Sequence, residues 1–155
     1  MKIARGCLPL LALVVCGCTT VAPPTFVASP FVEAVNIKQL MEWVIDPTVD
    51  VIWDSVKYID TVDGTKVIAP HTDLEWETVR NAAASLAESS NLLMIQHRAR
   101  EGKAWQAAAT SLRLAATGAM QAAQAKDQQG LFDAGGHIYN ACSACHFAYA
   151  QHLRN

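Results

Sequence analysis

The sequence predicts an all-α protein, an antiparallel four-helix bundle, and three observations lead to it. Apolar residues recur at three- and four-residue spacing through four long segments between residue 31 and the C-terminal end of the 155-residue chain. The connections between these segments are short, which favours antiparallel neighbours. No sustained run alternates apolar and polar residues, so no strand is expected.

The first helical segment covers residues 31–58. Val32, Val35, Leu40, Trp43 and Val44 fall at helical spacing, followed by Val51, Ile52 and Val56. Asp46-Pro47 interrupts it. Proline is welcome only at a first helical position, so the first helix should be kinked there, or broken and restarted. Residues 60–70 hold Gly64 and Pro70 and read as a loop. Thr72 and Glu75 have capping-box spacing, which starts a second helix running from about Asp73 to His97 with Leu74, Val79, Ala83, Leu86 and Leu93 inward. The chain turns at Arg100-Glu101-Gly102. A third helix, about Lys103 to Lys126, buries Trp105, Ala109, Leu112, Ala116, Met120 and Ala123. The fourth, about Gln128 to Leu153, carries Leu131, Gly135, Ile138, Cys142, Cys145 and Tyr149 on one stripe. All four tryptophans, Trp43, Trp53, Trp76 and Trp105, fall at core-like positions and are read as packing. Gly135 and Gly136 lie inside the last helix, where each costs about 1 kcal/mol relative to alanine. They either let a cofactor edge or another helix approach, or mark a simple irregularity.

Ahead of the helices, Lys2 and Arg5 precede an apolar run from Leu8 to Val15, too short to span a membrane and shaped like a secretory signal. Val15-Cys16-Gly17-Cys18 resembles a bacterial lipobox, with Gly17 as the small residue before a lipidated Cys18. Residues 1–17 are then the lipoprotein signal peptide, and 18–30, with three prolines and no charge, a lipidated tether to a 31–155 domain. Thr19 after the cysteine favours the outer membrane in Gram-negative cells. The alternative is an ordinary signal cut a few residues later, leaving a soluble periplasmic protein.

Twelve Lys+Arg against 14 Asp+Glu give a formal charge of −2, and loss of Lys2 and Arg5 makes the chain more acidic still. No basic excess exists to neutralise phosphates, which argues against nucleic acid as a partner.

The chemistry lies in Cys142-Ser143-Ala144-Cys145-His146, the Cys-x-x-Cys-His pattern of covalent haem attachment. On a helix, positions i, i+3 and i+4 share a face, so both thiols and the imidazole address one planar ligand. Cys142 and Cys145 would bind one haem c by two thioethers, and His146 its iron from the proximal side. Three other readings compete. A thioredoxin-like pair wants a βαβ context that is missing. A zinc site wants a fourth ligand. A disulfide across two residues is strained. The other cysteines have their own destinations: Cys7 and Cys16 leave with the signal and Cys18 takes lipid. His71, His97, His137 and His152 are read as surface or capping residues rather than ligands.

The position of that motif near the end of a four-helix pattern, with the Ile37-Lys38-Gln39-Leu40-Met41 stretch, resembles the cytochrome c′ family, the class II c-type cytochromes. Members are periplasmic haem bundles that transfer electrons or bind diatomic gases. Ala150 stands where they often carry a basic residue, four positions after the proximal histidine. The resemblance implies a mono-haem electron carrier between envelope redox proteins, not an enzyme. The alternative is a five-coordinate protein that binds nitric oxide or carbon monoxide. Weak peroxidase chemistry is a third reading, although no distal acid–base pair stands out. The resemblance also implies a homodimer.

Bundle geometry bears on the sixth iron position. Met41 lies about 12 Å along the first helix from Glu33, and His146 about 14 Å from the chain end on the opposite-running fourth helix, so the two fall at similar heights. The resemblance adds that Met-ligated members carry their ligand in a matching Leu-Met pair. Met41 is therefore either a distal haem-iron ligand or filler beside an open site.

Overall fold

The computed structural model describes residues 31–95, 97–100 and 102–151. The expected signal peptide, Cys18 and the expected tether fall outside them, as does His152. The chain is mostly helical, with one small hairpin: α1 (Ile37–Leu40), a π-helical segment (Met41–Ile45), α2 (Asp46–Ser55), β1 (Lys57–Thr61), β2 (Gly64–Ile68), α3 (Asp73–Asn91), a 3₁₀ turn (Leu92–Met94), α4 (Lys103–Ala125) and α5 (Gln128–Tyr149). Among the described residues no helix is long and apolar enough to cross a membrane.

The first helical segment departs from expectation at both ends and in the middle. It starts at Ile37, because Asn36 and Gln39 form a reciprocal capping box there, and Val32 stays 91% exposed. It ends at Ser55, since Val56 is extended. Asp46-Pro47 does not break it. Leu40, Ile45 and Asp46 all keep right-handed helical angles, and the Asp46 N–H donates to the Met41 carbonyl, five residues back. A proline ring excludes the carbonyl four residues before it. Widening the preceding turn to π geometry relieves that conflict while the helix continues, and Thr48 donates its hydroxyl to the Val44 carbonyl across the same turn.

Residues 57–68, expected to finish the first helix and then run as a loop, form an antiparallel hairpin in which Lys57 pairs with Ile68 and Thr61 with Gly64. The two strands correct the all-α expectation. Every strand residue is exposed or only half-buried, so neither strand has a buried face to write alternation into the sequence. The turn holds it instead. Gly64 sits at φ +121°, a region that favours glycine, and the Thr61 hydroxyl donates to its carbonyl at 2.6 Å. Tyr58 then fastens the hairpin to α5 through an edge-on contact with Phe132, ring centres 4.9 Å apart.

The Thr72–Glu75 capping box starts α3 as expected. Leu74, in that first turn, points outward at 72% exposure rather than into the core. The helix ends at Asn91, short of His97, and passes into the 3₁₀ turn. Helices α4 and α5 match their expected spans closely, apart from the last turn of α5, which stops at Tyr149. Helix α4 packs along both α3 and α5, and α2 packs on α3, while α2 and α5 meet over a short stretch only. Trp76 and Trp105 are buried and Trp53 half-buried, but Trp43 is 60% exposed and is not core. Its place on the outer side of the π turn removes it from the packing stripe.

Candidate cofactor site

The packing stripe of α5 holds as expected: Leu131, Gly135 and Ile138 are buried, and Cys142, Cys145 and Tyr149 are half-buried at its lower end. Tyr149 is held edge-on against Trp105, ring centres 5.0 Å apart, and the Trp105 indole N–H donates to the Leu93 carbonyl at 2.9 Å. These contacts tie the end of α5 and the start of α4 to the 3₁₀ turn. On the opposite side Arg98, only 5% exposed, donates to the carbonyls of Val35 at 2.6 Å and Leu92 at 3.3 Å. The segment that leads into α1 is thereby pinned to the same end of the molecule.

Between these elements lies a cavity of about 620 Å³. Cys142, Cys145 and His146 reach it from α5, and Met41 from the π-helical segment. Ile45, Val49, Leu93 and Leu112 give it apolar walls, and the small side chains of Ala108, Ala109 and Ala141 leave its volume unfilled. Glu42, Asp46 and Ser143 supply the few polar groups. Trp53 and Tyr139 close one side, and His146 and Phe147 are exposed at the mouth. The three motif residues and Met41, over a hundred positions away in sequence, therefore line one space.

Both cysteines are free thiols. Burial, chiefly, pushes the Cys142 thiol above its ordinary pKa, with the neighbouring Cys145 and the Asp46 carboxylate adding to the effect. Burial alone raises Cys145. Among the described residues no three His, Cys, Asp or Glu cluster as a metal cage would require. The donor set does suit a flat organic group that brings its own metal. Cofactor pockets run to about 300–1,000 Å³ with mostly apolar walls and a few placed polar groups. A haem in this space would meet two thiols and an imidazole on one helix face, with a thioether sulfur from another helix.

His71, His97 and His137 are exposed and lie outside this cavity. Trp53, Tyr139, Glu42 and Asp46 belong to the site although nothing in their own segments marked them. Gly135 was the available signal. A Cβ there would come within 3.3 Å of the Trp53 ring, so this glycine admits an aromatic side chain from α2.

Fold and site define a mostly helical protein with a Cys-x-x-Cys-His motif lining an apolar cavity. The chain matches no protein-family model, no curated protein and no solved structure.

Proposed function

We propose that the chain is a mono-haem c-type cytochrome of the cell envelope that passes electrons between redox partners. In this reading the helices form the four-helix bundle of a cytochrome c′-like protein. One observation carries it: the attachment motif and Met41 line a single apolar cavity of about 620 Å³. Bound there, haem would supply a one-electron iron couple. Cys142 and Cys145 would hold its edge as thioethers, and His146 would hold the iron from α5. Met41 would offer its sulfur from the π-helical segment. The mostly apolar walls would suit a flat, hydrophobic group, and a thioether ligand would favour the ferrous state and close the iron to gases.

In the same reading Cys18 carries lipid and residues 18–30 tether the domain to the periplasmic side of the outer membrane. A second copy of the chain and envelope redox proteins are the proposed partners.

Haem-stained denaturing electrophoresis tests the attachment, using protein made with haem-attachment machinery. Wild type should stain, and Cys142→Ala plus Cys145→Ala should not; stain that persists in the double variant overturns the assignment. Visible spectra test the ligand. A low-spin wild type that Met41→Ala converts to high-spin and opens to carbon monoxide supports the electron carrier. A wild type that is already high-spin and binds carbon monoxide readily replaces it with the gas-binding protein.

A further inference from the structure

Among the described residues Arg98 is the one charged side chain buried in the core. It follows the 3₁₀ turn, where its backbone N–H donates to the Ile95 carbonyl at 2.8 Å. Its guanidinium donates to the Val35 carbonyl, 63 residues earlier in the chain, at 2.6 Å and to the Leu92 carbonyl at 3.3 Å. Its Nε is buried without a hydrogen-bond partner, and no carboxylate among the described residues pairs with it. A buried cation without a counter-charge is costly, and an apolar side chain would fill the same place without that cost. What an apolar side chain cannot do is bond two carbonyls at once. Those carbonyls lead to two sides of the motif cavity. Val35 directly precedes Asn36, the cap of α1, and that helix runs into the π-helical segment and Met41. Leu92 directly precedes Leu93, a wall of the cavity, whose carbonyl takes the Trp105 indole N–H. Trp105 meets Tyr149 of α5, within one turn of His146. A run of contacts therefore joins α5 to the start of α1 through Tyr149, Trp105, the 3₁₀ turn and Arg98. Direct packing does not replace it, because neither α1 nor the π-helical segment packs along α5.

We propose that Arg98 is a positioning residue for the iron site: by bonding Val35 and Leu92 together it fixes where α1 begins, and so holds the Met41 sulfur within reach of an iron bound by His146. The proposal rests on the cytochrome reading above, in which Met41 is the sixth ligand. Arg98 is not part of the cavity wall, so it acts through Met41. A methionine sulfur is a neutral, weak ligand, and its hold on iron is an equilibrium between bound and released states. Loss of the clamp frees the start of α1 and favours release. Leu40 and Ile45, both buried, keep the segment in the core either way, so the released state is a small shift rather than unfolding.

The test uses the haem-loaded full chain. Ferrous protein is mixed with carbon monoxide, which binds only when Met41 has left the iron, and ferric protein is scanned for the weak far-red band of methionine-ligated haem. Arg98→Leu should raise the rate of carbon monoxide binding about tenfold, the worth of one hydrogen bond to a charged group. It should also weaken the far-red band and lower the midpoint potential, with haem stain equal to wild type. Arg98→Lys keeps the charge but lacks the planar fork that spans both carbonyls, and should move the rate the same way by about threefold. Arg98→Leu combined with Met41→Ala should bind no faster than Met41→Ala alone, since both act on one event. Leu86→Ala, wholly buried on α3, loosens the fold without touching the clamp and should leave rate and band as in wild type. Wild-type rates in Arg98→Lys and, where it folds, in Arg98→Leu overturn the proposal, as does an equal rise in Leu86→Ala or an additive effect in the double variant. If wild type carries no haem, or binds carbon monoxide as fast as Met41→Ala does, the reading of a Met41-ligated cytochrome has itself failed, and the proposal falls with it.

Discussion

The α3–α4 seam and the α2–α5 seam are built on opposite principles. Along the first, Ala83, Leu86, Ala116 and Ala119 are wholly buried at 0% exposure, and the helices lie together along their length. Small side chains bring the backbones close, and nothing is left to fill. Along the second, α2 and α5 meet only briefly, and two hollows that share the Trp53–Tyr139 wall, the motif cavity and one of about 770 Å³ on the hairpin side, open beside that junction. In the proposed reading, haem fills the hollow that the motif residues line. The same residue type has two effects here. Ala83 on α3 and Ala116 and Ala119 on α4 close a gap, while Ala108 and Ala109 at the start of α4 and Ala141 on α5 keep one open. The π turn belongs to the open seam, where it carries the helix past Pro47 and brings Met41 and Glu42 to the cavity.

Breaking the closed seam should have the largest effect. Leu86→Ala should destabilise the protein by about 2–5 kcal/mol, since its surroundings are tightly packed and relax little. Denaturant unfolding of the apoprotein measures this, and a loss below about 1 kcal/mol would mean that the seam is looser than its burial indicates. Next comes the opposite experiment in the open seam. Ala108→Leu should change apoprotein stability by less than about 1 kcal/mol while reducing the yield of covalent haem, because it occupies cofactor volume rather than protein volume. Unfolding curves and haem stain of the same preparation separate the two outcomes.

The smallest effect concerns the thiols. Burial disfavours the charged thiolate, so both folded cysteines sit above the ordinary thiol pKa of about 8.5. Apoprotein should be alkylated by iodoacetamide more slowly than an unfolded control at pH 8, and the gap should narrow as the pH rises. A group with a raised pKa stabilises the fold below its unfolded value and loses that contribution as pH climbs through the folded value. Stability of the apoprotein should therefore decline slightly above the ordinary thiol range. Alkylation at the rate of the unfolded control would place the thiols in water rather than in the cavity.

The long helices were readable because their signals are local. The Thr72–Glu75 box, the stripe of α4 and the stripe of α5 each repeat within one element, and the order of apolar residues suffices to place them. The hairpin was not readable, since exposed strands lack alternation and Tyr58 depends on Phe132 of a distant helix. Leu74 and Trp43 were misplaced for a related reason. Helical spacing says which residues share a face, but the direction of the first turn and the π register decide where that face points.

The site divides in the same way. Cys142, Cys145 and His146 share a helix face by spacing alone, so sequence was enough to name them and to say what they could address together. Helix heights and the resemblance singled out Met41, but that it lines the same space, that alanines leave the space open and that Trp53 closes its side were decided by tertiary structure. A cavity is a property of elements that fail to meet, and no single segment records the distance to its neighbour.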